Sequence, residues 1–131
     1  MKFNLQDLNP GTKFFFDEDN EAEGYITLRI LPNETRDEIR AKAVKKRAEY
    51  RKGQRYEIID FDEDLFAEAV WDYSIQDWGG VYDESGAEIP CTRENKIMLM
   101  NKSPVFARIY EDRLKVLREL LEDHAKASEK N

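Results

Sequence analysis

Between Ser103 and Leu121 the residues Phe106, Ile109, Tyr110, Leu114, Leu117, Leu120 and Leu121 recur at steps that follow a helical repeat. That spacing gathers them on one side of a helix, and such a side has to be buried against something. Ser103 can cap the helix, and Pro104 suits its first turn, where a backbone donor has no partner to lose. This is the strongest helical signal in the chain, and the rest of the fold must supply the surface that covers it. The ends, residues 1–11 and 125–131, are expected to fray, the second being small and polar.

The other elements are shorter. Lys13–Phe16 and Gly24–Leu31 read as two strands around the polar turn 17–23, an N-terminal β-hairpin. A lone hairpin is marginal in water, so this one needs a helix or a further strand. Thr35 and Glu38 match a capping box, which predicts a helix to about Tyr50 or Arg51, with Ile39, Ala43, Val44 and Ala48 as a narrow apolar stripe. Tyr56–Phe61 is a third strand or an extended lead-in. Phe61, Leu65, Phe66, Ala69, Val70 and Tyr73 then mark a helix starting near Asp60 or Asp62 and stopping at Gly79-Gly80. Val81-Tyr82 and Glu88–Pro90 flank a turn at 83–86, and Thr92 can cap a short helix through Asn101. The expected architecture is α+β: a mostly helical single domain over 1–131, with an N-terminal β-hairpin and three to four helices, the C-terminal one longest. At 131 residues one modest core is affordable, and no linker separates two domains.

Charge is segregated along this chain. Residues 36–55 hold nine Lys/Arg against three acids, while 56–92 hold eleven acids and no Lys or Arg. Both tryptophans, Trp71 and Trp78, fall in the acidic stretch. Segregated charge beside large aromatics suits contact with another macromolecule better than a catalytic pocket. The net charge of −7 disfavours non-specific nucleic-acid binding by the whole chain, because phosphates repel it.

Few residues could carry chemistry. Cys91 and His124 are the only thiol and imidazole, too few for a zinc site and a catalytic pair only if the fold joins them. The run Asp60–Asp64 begins like a calcium loop, but Leu65 and Trp71 stand where its glycine and glutamate are needed. No glycine-rich phosphate loop occurs. The acids read as a solvated face, so catalytic residues, metal and cofactor are all expected to be none. One cysteine fits a reducing compartment, and the N-terminus has no apolar signal core, so a cytoplasmic location without membrane contact is expected.

The run from Trp78 to Lys96 has the form W-x-G-V-x-D-x-x-G-x-x-I-P-x-T-x-E-N-K, followed by a helix and then a proline-started helix at Ser103-Pro104. This resembles small phage and prophage proteins of the tail-assembly-chaperone type. The resemblance implies a non-enzymatic assembly factor that masks a long helical tape-measure protein until tail-tube subunits replace it. The candidate partner-binding residues are Trp71, Trp78, Tyr82, Ile109, Leu117 and Leu121. Spaced by seven, Trp71 and Trp78 could share one helical face, as core or as anchors. A basic docking face is expected from Arg40, Lys45, Lys46, Arg47 and Arg51. The expected partner is a protein, tape-measure or tail-tube, and self-association is expected through the basic and acidic segments. The alternative is a nucleic-acid-associated phage or regulatory protein using residues 36–55. A third reading, an enzyme with a carboxylate pair and a divalent ion, requires clustered acids inside a pocket.

Overall fold

The computed structural model describes Met1 and residues 11–129, with side chains to Lys126. Strands β1 (Thr12–Phe15) and β2 (Tyr25–Leu28) form the N-terminal hairpin. Then come α1 (Asn33–Lys42), β3 (Val44–Arg51), β4 (Gln54–Phe61), α2 (Glu63–Ser74), β5 (Ile75–Gly79), α3 (Arg93–Lys102) and α4 (Pro104–Glu129). The single α+β architecture, with its N-terminal hairpin, four helices and longest helix last, is the one the sequence predicts. The expected frayed ends fall partly outside the described residues; α4 stays helical through Glu129.

The core lies between α4 and a three-stranded antiparallel sheet ordered β1-β2-β5. Register places Phe14 beside Ile26 and Ile26 beside Trp78, so all three share a face. That face meets Phe106, Tyr110, Leu114 and Leu117 of α4. Trp78 and Phe106 pack edge to face, with ring centroids 5.5 Å apart and planes at 79°. The indole Nε1 of Trp78 donates to the Ile89 carbonyl at 2.7 Å, which pins the loop 81–89 over the sheet. Gly24 and Gly80 let the two turns at this sheet end touch. Both have left-handed φ, +112° and +71°, and a Cβ on Gly80 would lie 2.7 Å from the Gly24 Cα.

Two local expectations are overturned. The first is the helix from Thr35 to Tyr50 or Arg51. Helix α1 starts at Asn33, after Pro32, which offers no side-chain cap, and it ends at Lys42. Residues 44–51 are instead strand β3, paired residue for residue with β4. Lys52-Gly53 decides this: φ of +50° and +77° makes a tight two-residue hairpin turn with the twist that adjacent antiparallel strands require. Pairing with the β-prone run Tyr56–Phe61 then outweighs the helix propensity of the lysines, arginines and alanines of 42–51. The second is the helix through Trp78. Helix α2 stops at Ser74, and Ile75–Gly79 turns into β5 to extend the sheet. Trp71 and Trp78 therefore sit on different elements, not on one helical face.

The loop and caps of 83–96 behave as their residues suggest. Asp83 accepts from the Ser85 amide at 2.9 Å, the Ser85 hydroxyl at 2.6 Å and the Ala87 amide at 3.0 Å. The Ser85 hydroxyl bond, and after it the Ala87 amide, hold this exposed carboxyl below its usual pKa. The sign follows: the loop's stabilisation is complete above the ordinary Asp value and is lost as pH falls through the lowered one. Removing the hydroxyl with Ser85→Ala is expected to move the Asp83 midpoint upward, towards the ordinary value, in a carbon-detected NMR titration.

Candidate protein-docking surface

The hairpin β3–β4 is a sheet of its own: among the described residues no third strand joins it. Side chains facing each other in its register lie on the same side of the ribbon. One side carries Lys45, Arg47, Glu49, Arg51, Gln54, Tyr56, Ile58 and Asp60. This side is an ionic ladder. Arg47 reaches Asp60 and Glu49, each at 2.7 Å, and Arg51 reaches Glu49 at 3.6 Å. Lys45 lies 4.0 Å from Asp62. These pairs are exposed, so each adds little stability, but together they absorb much of the basic charge of β3.

The opposite side carries Val44, Lys46, Ala48, Tyr50, Arg55, Glu57, Ile59 and Phe61. Tyr50 is 73% exposed, Ile59 65% and Phe61 43%. At the hairpin base Phe61 rests against the Phe66 ring of α2, centroids 5.6 Å apart, and Val44 is half-buried, while Tyr50 and Ile59 nearer the turn stay exposed. The two-residue turn also fixes which backbone groups are free. Residues 51 and 54 flank it as a hydrogen-bonded pair, so 44, 46, 48 and 50, and 55, 57, 59 and 61, point their amides and carbonyls outward. The apolar side and both open edges thus belong to the same residues. Open edges of this kind accept added strands unless something covers them.

The predicted site residues are scattered by this fold. Trp78 and Leu117 are spent in the core, 5% and 3% exposed. Trp71, Ile109 and Leu121 are half-buried and pack against the core cluster. Tyr82 is exposed beside an isolated bridge to Glu88. The basic residues share no face. Arg40 is on α1, 5.8 Å over the Phe66 ring. Lys45, Arg47 and Arg51 are on the ionic side of the hairpin, and Lys46 is on the apolar one. Sequence reasoning did not bring Tyr50, Ile59 and Phe61 together on one side of a ribbon; the signal that could have done so is the Lys52-Gly53 turn between two alternating runs.

The 78–96 pattern is built into the scaffold. Thr92 caps α3 by accepting from the Asn95 amide at 3.2 Å, and the Asn95 side chain donates to the Pro90 carbonyl at 2.9 Å. Lys96 is buried, and its Nζ donates to the Asp72 carbonyl and carboxylate, each at 3.1 Å. Arg93 reaches the other Asp72 oxygen at 3.1 Å. One carboxylate thereby ties α2 to α3.

Other chemistry gains no support from geometry. Most acids of 56–92 are exposed, and no group of three metal-capable side chains converges among the described residues. An open notch of about 460 Å³ at the hairpin base is lined by Lys45, Asp60, Phe61, Asp62, Glu63 and Asp64. Asp62 in that notch is the cap of α2, accepting from the Leu65 amide at 3.0 Å. Burial pushes the Cys91 thiol up, opposite to the shift of an activated nucleophile. Among the described residues no helix is long and apolar enough to cross a membrane.

The family model described as YdaY prophage protein matches residues 24–130. No curated protein and no solved structure matches the chain.

Proposed function

The chain belongs to the YdaY prophage protein family, and from that premise we propose that it is a non-enzymatic assembly factor that binds another protein, of the tail-assembly-chaperone type. Its partner is a long amphipathic helical protein such as a tape-measure protein, masked until tail-tube subunits displace the mask. The observation that carries this reading is the uncovered β3–β4 hairpin, with Tyr50, Ile59 and Phe61 exposed on one side. An isolated two-stranded ribbon is marginal in water, and an apolar strip beside open edges suits a docking arm. The net charge of −7 keeps the unoccupied protein dispersed.

The test is co-expression with the long tape-measure protein and affinity capture of the pair. Ile59 is 65% exposed, so Ile59→Asp should leave folding stability within about 0.5 kcal/mol of wild type. The same substitution should abolish capture. Undiminished capture by Ile59→Asp would remove the hairpin from the interface. Binding to DNA or RNA that weakens steeply with salt would favour the nucleic-acid alternative instead.

A further inference from the structure

Helix α4 is apolar over a wider arc than the body covers. Phe106, Tyr110, Leu114 and Leu117 are buried. Beside them runs a second stripe of Val105, Ile109, Val116 and Leu120, in which Val105 is 70% and Leu120 52% exposed. On the far flank of that stripe lie Arg108, Asp112, Lys115 and Glu119, all exposed. At 3.6 residues per turn these four fall within about 60° of arc, so they form one row. Among the described residues none of the four takes part in an ion pair.

We propose that this stripe is the seat of a second copy of the chain, held α4 against α4 in antiparallel orientation. The charge order selects both occupant and direction. When the row is laid against its own reverse so that Asp112 faces Lys115 of the second copy, Arg108 falls opposite Glu119 of the second copy. In an antiparallel helix pair the same flank meets itself, and the two-fold axis makes each of these pairs twice. In the same register Ile109 enters the gap between Val116 and Leu120 of the other copy, a knob between residues one turn apart. A parallel pair would instead turn this row towards the opposite flank of the other helix, where Phe106, Tyr110 and Leu117 are buried against the body, and would leave its charges without partners. The inference stands apart from the hairpin's role: the dimer uses none of Tyr50, Ile59 or Phe61, and its failure would leave partner capture by the hairpin intact.

The experiment is sedimentation equilibrium of the full chain at low salt, comparing wild type, Arg108→Glu, Glu119→Arg and the double exchange. Wild type should sediment as a dimer of the 15.5 kDa chain. Each single reversal should weaken association about tenfold or more, and the double exchange should restore it. These are exposed positions, and unchanged circular dichroism will show that the variants are folded. A wild type that stays monomeric at about 100 μM overturns the proposal. So does a dimer indifferent to the single reversals, or a weakening that the double exchange does not repair.

Discussion

Replacing Trp78 with alanine is expected to cost about 3–5 kcal/mol of folding stability, read from urea denaturation. The indole is 5% exposed and sits where the sheet meets α4, against the Phe106 ring. Truncation removes that edge-to-face contact and opens a void between two layers held apart by backbone, which can close only in part. It also leaves the Ile89 carbonyl without the donor at 2.7 Å that secures the 81–89 loop. Domains of this size commonly have only about 5–15 kcal/mol in total, so the variant should be partly unfolded near 37 °C. Trp78→Phe separates the contributions. It keeps most of the apolar volume and loses the hydrogen bond, for an expected loss of about 1–3 kcal/mol. A loss under about 1 kcal/mol for Trp78→Ala would mean that this tryptophan is not the centre of the core.

The second large effect is expected at Asp72. Lys96 has a side chain only 10% exposed, and both of its hydrogen bonds end on Asp72. Asp72→Ala leaves the backbone carbonyl as its one partner and strands a cation in the interior. Stranding a fully buried charge costs about 3–5 kcal/mol; Asp72 is 34% exposed, which brings the expected loss to about 2–3 kcal/mol. Adding Lys96→Met to Asp72→Ala should recover most of that loss, because a methionine fills the channel without a charge to solvate. Non-additivity between the two substitutions, measured as a double-mutant cycle, is the direct readout. Additive effects would show that the pair is a surface contact of small consequence.

Short-range signals made much of this fold readable from sequence. Thr92, Asp62 and Ser103 each accept from an amide three residues on, as their positions before helical stripes imply. The stripe of α4 predicted the core face, and the alternation of 25–28 predicted its strand. The failures have a common cause. At 44–51, lysines, arginines and alanines favour a helix locally, and only pairing with 54–61 makes them a strand. At Trp78, register with Ile26 rather than local periodicity fixes the side chain. Long-range pairing is invisible to a windowed reading unless a turn betrays it, and Lys52-Gly53 is such a turn.

The charge pattern was legible as segregation but not as pairing within one chain. The basic and acidic segments were expected to pair between copies, yet within one chain Arg47 already meets Asp60 across the hairpin and Lys45 lies 4.0 Å from Asp62, the cap of α2. The 78–96 pattern turned out to describe turns, caps and a buried lysine. The exposed side of β3–β4 was missed because its residues become neighbours only once the hairpin closes.

Hydrogen–deuterium exchange on the chain alone and in complex with a tape-measure segment tests the docking arm most directly. The outward amides of 44, 46, 48, 50, 55, 57, 59 and 61 should exchange freely alone and slow at least about tenfold when the partner is bound. Protection confined to other elements, with these amides unchanged, would contradict the account.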